Sequence, residues 1–235
     1  ILTTDIMPPW SWRIPFLASS FIALIALYLR SNMAETNIFK AAKTANELFT
    51  TPIYAAWKYN KEGLLCTAGF ALFISVFVYT GNVYYKNMAI TIGKLDPHIA
   101  ATIITYGISL ATLLIPLAAY IADRTNGYKM CLFGLLLAVI FSPSMMACAQ
   151  SGDVTITLIG QIIYAVIDAM VSATFFTILL QNFHTGTKYS GSSIAWSVIA
   201  AIFGGSTLVV NELLTGYFEQ TNGPGLYISI AALIC

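Results

Sequence analysis

Apolar runs of about span length, separated by short polar breaks, dominate the chain: 14–29, 63–85, 99–122, 130–149, 154–180 and 191–214, with a further run from 226 to 235. An α-helix needs about 20 such residues to cross roughly 30 Å of hydrocarbon. The first run is short, but Trp10 and Trp12 can anchor its leading end at the membrane interface. The runs do not alternate and are too long for barrel strands, which excludes a membrane β-barrel. The pattern predicts an all-α integral membrane bundle of six spans and the start of a seventh. Pro116 and Pro143 fall inside spans, where kinks are expected.

Residues 30–62 form the only long polar stretch. Thr50-Thr51-Pro52 reads as a helix start, and Ile38, Ala42, Ala45 and Phe49 share one helical face away from Lys40, Lys43 and Glu47. One or two short helices at the membrane interface are expected here, serving as a tether between bundles or as a regulatory element.

Composition agrees with the pattern. The chain is 58% hydrophobic and 9% charged, whereas a soluble domain carries about 25% charged residues. A net charge of +1 without a basic run points away from nucleic acid. Cys66, Cys131, Cys148 and Cys235 lie in apolar stretches without paired spacing and read as packing residues. His98 and His184 are far apart, which does not suggest a metal site. The chain opens at Ile1 and stops at Cys235 within an apolar run, so it reads as an internal piece of a longer protein.

Charge sets the expected orientation. If each span crosses, Arg30, Lys40, Lys43, Lys58, Lys61, Arg124, Lys129 and Lys188 fall on one side, and Arg13, Lys86 and Lys94 on the other. The richer side is expected to be cytoplasmic.

Asp168 lies midway along the fifth span. A charged Asp at the bilayer centre costs roughly 2.5–3.5 kcal/mol, so it should face a cavity or a partner. Gln161 and Tyr164 share its helical face, and Thr157 and Ser172 extend that stripe. Asp168 is therefore the candidate proton-coupling group, the alternative being a neutral Asp that bonds a neighbouring helix. Gln161 and Tyr164, with Tyr79 and Asn82 on the second span, are the candidate substrate-cavity residues. An aromatic face suits a quaternary ammonium or imino-acid solute. Tyr84 and Tyr85 are assigned to the outer aromatic belt. Ser193, Ser197, Ala201 and Gly205 recur every four residues, as on a close helix-packing face. Nothing forms a nucleophile constellation, a nucleotide loop or a metal-ligand cluster, so neither an enzyme nor a cofactor is implied.

The motifs add a resemblance. Trp10-Ser11-Trp12-Arg13-Ile14-Pro15-Phe16 opens the first span, and Leu27-Tyr28-Leu29-Arg30 ends it. Glu35-Thr36-Asn37-Ile38-Phe39 follows. Ala119-Tyr120-Ile121-Ala122-Asp123-Arg124 closes the third span. Tyr189-Ser190-Gly191 opens the sixth, and Phe203-Gly204-Gly205 lies inside it. In this order the chain resembles the metabolite:proton symporters of the major facilitator superfamily, which include proline/betaine, shikimate, α-ketoglutarate and citrate carriers. It departs from them at Ala119, where the family has Gly, and by one extra residue in the loop after Asp123-Arg124.

That resemblance implies a twelve-helix carrier in two halves. Residues 1–29 would be helix six, the last of the N-terminal bundle. Residues 30–62 would be the cytoplasmic linker, and 63–235 the C-terminal bundle truncated in helix twelve, with the N-terminal half missing. It further implies proton-coupled symport of a small polar solute, a zwitterionic compatible solute or a carboxylate, by alternating access in a bacterial inner membrane. Asp123 and Arg124 would form a gating latch. A seven-helix receptor or sensor, and a non-transporting remnant of a carrier, are the alternatives.

The charge asymmetry makes one expectation directly measurable. A cysteine placed at Asp153 should react with an impermeant maleimide added outside intact cells, and one at Lys43 should not; the opposite pattern would overturn the orientation.

Overall fold

The computed structural model describes residues 10–33, 40, 44, 52–183, 186–217 and 222–235. Its helices are α1 (Ile14–Asn32), α2 (Pro52–Tyr59), α3 (Lys61–Thr91), α4 (Pro97–Arg124), α5 (Gly127–Gln150), α6 (Val154–Gln181), α7 (Lys188–Tyr217) and α8 (Gly223–Ile234). There is no strand among the described residues. Six helices, α1 and α3 to α7, are long and apolar enough to span a bilayer, whereas α8 is shorter. The chain is a multi-pass α-helical membrane protein. Each predicted span lies within one helix, and each helix overruns the span into flanking polar residues.

The structure divides into two units, Ile1–Glu47 and Leu48–Cys235. In the first, a 3-10 turn at Ser11–Arg13 leads into α1, and Pro15 occupies the first turn, where its missing N–H costs nothing. No residue of α1 is buried. Its Ser19, Ser20 and Ser31 hydroxyls donate to carbonyls of their own helix. The predicted face of Ile38, Ala42, Ala45 and Phe49 lies outside the described residues.

In the second unit α2 begins at Pro52, the predicted start. Polar caps fix where the next spans begin. Asp96 accepts from the His98 and Ile99 amides at the head of α4, Asn126 from Tyr128 and Lys129 at α5, and Asp153 from Thr155 and Ile156 at α6. Each cap satisfies amides that have no partner within the helix.

Helix α6 is the hub: α4 and α5 pack on it along their lengths but meet each other little, while α3 and α7 also contact it. Helix α8 lies against α5 and α3. Ring contacts tie the hub to its neighbours, with Phe70 and Phe175 centroids 5.3 Å apart and Phe175 and Trp196 5.0 Å apart. One end of this unit is closed by Asn60 Nδ2 donating to Thr187 Oγ1 at 2.7 Å and by the Tyr128 hydroxyl 2.9 Å from Gln181 Oε1. Lys58, Lys61, Arg124, Lys129 and Lys188 belong to this end, and Lys86 and Lys94 to the other. At that other end Gly152 has φ 71°, and a Cβ there would stand 2.9 Å from the Gly93 carbonyl. Both the left-handed backbone and the close approach call for glycine.

Within this unit the expected packing face of α7 meets no neighbour. The small-residue stripe Ser193, Ser197, Ala201 and Gly205 is exposed, and a Cβ on Gly205 would meet nothing within 4 Å. Helix α7 instead turns inward the side that carries Ser192, Gly204, Thr207 and Asn211. Near that side Trp196 meets Phe175 and Asn211 meets the Thr80 side chain of α3, and regular spacing of small residues does not determine which side finds a neighbour.

Pro143 supplies the docking point for α8. Proline has no N–H, so the Val139 carbonyl one turn earlier loses its donor. Ser229 of α8 donates to that carbonyl at 2.8 Å. Gly225, one turn earlier in α8, lies so close that a Cβ would stand 2.5 Å from the Pro143 Cα. Ser229→Ala should cost about 1–3 kcal/mol by leaving a buried acceptor unpaired. Thermal unfolding in detergent checks this against Ser206→Ala, whose hydroxyl donates only to carbonyls of its own helix; equal melting of the two variants would contradict it.

Candidate functional site

The backbone of α3 widens into a π-turn at Tyr79–Tyr84. Such turns lengthen the ladder to i→i+5 and disturb its carbonyl pairing. A span can carry that irregularity only where neighbouring groups compensate. Here Gln161 Nε2, from α6, donates to the Gly81 carbonyl at 2.8 Å. Gly81 permits the approach, because a Cβ there would fall 2.5 Å from the Tyr164 ring. Asn82 Nδ2 donates to the Tyr164 hydroxyl at 2.8 Å. The Tyr164 ring stacks on Phe77, with centroids 4.8 Å apart and planes 15° apart.

Helix α7 secures the same turn from another side. Asn211 Nδ2 donates to Thr80 Oγ1 at 2.8 Å. The Tyr84 hydroxyl stands 2.7 Å from Thr215 Oγ1 and 3.3 Å from Glu212 Oε2. A second π-turn, Ala200–Gly204, lies in α7, and a Cβ on its Gly204 would lie 3.1 Å from the Tyr79 ring. The two widened turns thus meet across Tyr79 and Gly204.

The expected face of α6 is therefore a polar seam against α3. Thr157, Gln161 and Tyr164 are buried, while Asp168 and Ser172 are half-buried. Ser172 Oγ donates to Asp168 Oδ1 at 3.0 Å. Gln161, Tyr164 and Asn82 come together; Asp168 follows one turn along α6; Tyr79, 44% exposed, lies on the α7 side of the turn. Asp123 and Arg124 stand at the end of α4, where the Arg124 guanidinium lies 4.4 Å from the centre of the Tyr120 ring.

The belt assignment of Tyr84 and Tyr85 is corrected. Both are buried, and the Tyr85 hydroxyl donates to the Thr157 carbonyl at 2.7 Å. Helix α3 runs on to Thr91, so these tyrosines lie inside the bundle and not at its rim. Sequence reasoning also passed over Thr80 and Asn211. The available signal was an Asn within the sixth span and a Gly flanked by Thr80 and Asn82 within the second.

Among the described residues three buried carboxamide oxygens have no hydrogen-bond partner: Asn82 Oδ1, Gln161 Oε1 and Asn211 Oδ1. Their amide nitrogens are spent on Tyr164, Gly81 and Thr80. The seam therefore offers acceptors, aromatic surface and one acid.

Comparison with known proteins agrees with this architecture. The family model of the Major Facilitator Superfamily matches residues 4–206. A Staphylococcus haemolyticus protein with the provisional name proline/betaine transporter is 26% identical over 97% of this chain and 49% of its own length. A Haemophilus influenzae protein, provisionally named a metabolite transport protein, is 25% identical over 100% of this chain and 55% of its own. The α-ketoglutarate permease of Escherichia coli is 26% identical over 84% and 45%. The chain spans about half the length of these curated relatives. No solved structure matches it.

The close contact at Gly81 gives a test of the seam. Gly81→Val should push α3 from Tyr164 and destabilise the bundle by about 1–3 kcal/mol, as overpacking does. Gly216→Val, at a site where a Cβ meets nothing within 4 Å, is the control. A melting temperature unchanged by Gly81→Val would mean that the seam is not tightly packed.

Proposed function

The chain belongs to the major facilitator superfamily, and on that footing we propose that it forms part of a proton-coupled secondary transporter for a small zwitterionic solute. The observation that carries this reading is the seam of Asn82, Gln161, Tyr164 and Asp168 built around the π-turn of α3. A membrane span retains an acid and unpaired carboxamides when they serve a solute or an ion pathway. The names borne by the relatives support transport. The bacterial relatives support a bacterial cytoplasmic membrane as its location, with the Lys58 and Arg124 end inside.

Within that proposal each group has a role. Asp168 takes up the coupling proton, and its neutral form lets the site close without a buried charge. The carboxamide oxygens of Asn82 and Gln161 accept from the N–H groups of a primary or secondary ammonium, such as that of an imino acid. Tyr79 and Tyr164 supply ring surface for its cationic end, an attraction of about 0.5–2 kcal/mol. The residues of the seam carry no Lys or Arg, which favours an amine-bearing solute over a dicarboxylate for this half. The solute's carboxylate would be met by the other bundle of the carrier, which the additional length of the relatives supplies. Asp123 and Arg124 act at the gate, and the bundles rock about the midplane site.

The test is uptake by proteoliposomes that hold the complete carrier containing this chain. Asp168→Asn keeps size and hydrogen bonding but cannot titrate. It should abolish proton-driven accumulation of proline while sparing downhill exchange. Accumulation by the Asn variant with unchanged pH dependence would move the coupling acid elsewhere and leave Asp168 a structural hydrogen-bonding group.

A further inference from the structure

We propose that the groove between α4 and α5, floored by α6, holds an anionic phospholipid. Helices α4 and α5 both pack on α6 but meet each other little, and the cleft between them has a volume of about 410 Å³. Leu117 and Ile121 form one wall, Phe133 the other, and Val166 and Met170 the floor. Leu117, Ile121, Phe133 and Val166 are each at least 40% exposed. These side chains belong to spans and are exposed in this unit, and an apolar channel of this shape suits an acyl chain.

The charge at the mouth selects the headgroup. Lys129 lines the groove where α5 begins, next to Thr125. Arg124, in the last turn of α4, is stacked over the exposed Tyr120 ring and does not line the groove. Asp123 lies two residues, about 200°, around α4 from Ile121 and so faces away from the groove. The mouth therefore presents the Lys129 cation at the end of an apolar channel, which complements a phosphate attached to acyl chains. Asn126 caps α5 ahead of Lys129, and Tyr128 is tied to Gln181, so the start of α5 that carries the cation is anchored to the floor helix. The floor residues Val166 and Met170 share α6 with Tyr164 and Asp168, so a lipid here bears on the back of the candidate site.

The test uses the purified full chain in detergent and native mass spectrometry with phosphatidylglycerol or phosphatidylcholine added at equal concentration. One phosphatidylglycerol should be retained in preference. A cation at a membrane surface contributes about a fivefold preference for anionic lipid. Lys129→Gln should lower retention of phosphatidylglycerol by about that factor and leave phosphatidylcholine unchanged. Val166→Phe, a change at an exposed position, should reduce retention of both lipids by filling the floor. Circular dichroism confirms that each variant keeps its helices, and a variant that loses them is replaced by Leu117→Phe, which narrows the groove from the wall. Equal retention of the two lipids by the unmodified chain, or retention of phosphatidylglycerol unaffected by Lys129→Gln, would overturn the proposal. Retention of free fatty acid in place of phospholipid would also overturn it.

Discussion

Hydrocarbon offers no hydrogen bonds, so every backbone N–H and C=O within a span must find a partner inside the protein. Regular helix meets that demand by itself. At the places where the ladder is irregular, a neighbour must complete it, and those places determine how the helices of the second unit fit together. The Val139 carbonyl released by Pro143 draws in Ser229 and seats α8. The π-turn of α3 draws Gln161 from α6 to the Gly81 carbonyl and Asn211 from α7 to the Thr80 side chain. At the helix starts, Asp96, Asn126 and Asp153 satisfy the amides that α4, α5 and α6 leave unpaired.

Polar compensation and close packing depend on each other at the seam. Gln161 reaches the α3 backbone because Gly81 and Gly107 bring no side chain into its path. Hydrogen bonds between spans average about 0.6 kcal/mol, so no single one holds the bundle together. Their effect is positional: they set the register of α3 against α6, and the Phe77–Tyr164 stack then fills the space between. In the proposed transport cycle a change at Asp168 is felt one turn away at Tyr164, and through Asn82 at a turn whose backbone is already widened.

The two sides of α6 have different surroundings. One side carries Gln161, Tyr164 and Asp168 toward α3. The other carries Val166 and Met170 at the floor of the groove between α4 and α5. A lipid in that groove and a solute at the seam would share one helix without touching.

Hydropathy and local chemistry alone determined the number and approximate placement of the spans, the start of α2 at Pro52 and the all-helical class. Apolar length and a cap or proline are local properties and read the same in any surroundings. The stripe through Gln161, Tyr164 and Asp168 was legible for the same reason, since it depends only on helical periodicity. Tertiary structure decided what periodicity cannot express: which side of each helix has a neighbour, and what that neighbour offers. Tyr84 and Tyr85, which resemble rim residues by position, are buried because α3 continues past them and α6 and α7 provide Thr157 and Thr215 as partners. The serine–alanine–glycine stripe of α7 remains exposed because the opposite side carries the groups that fit α3 and Phe175. The π-turn at Tyr79–Tyr84 likewise has no local signature, since its stability comes from amides more than seventy residues further along the chain.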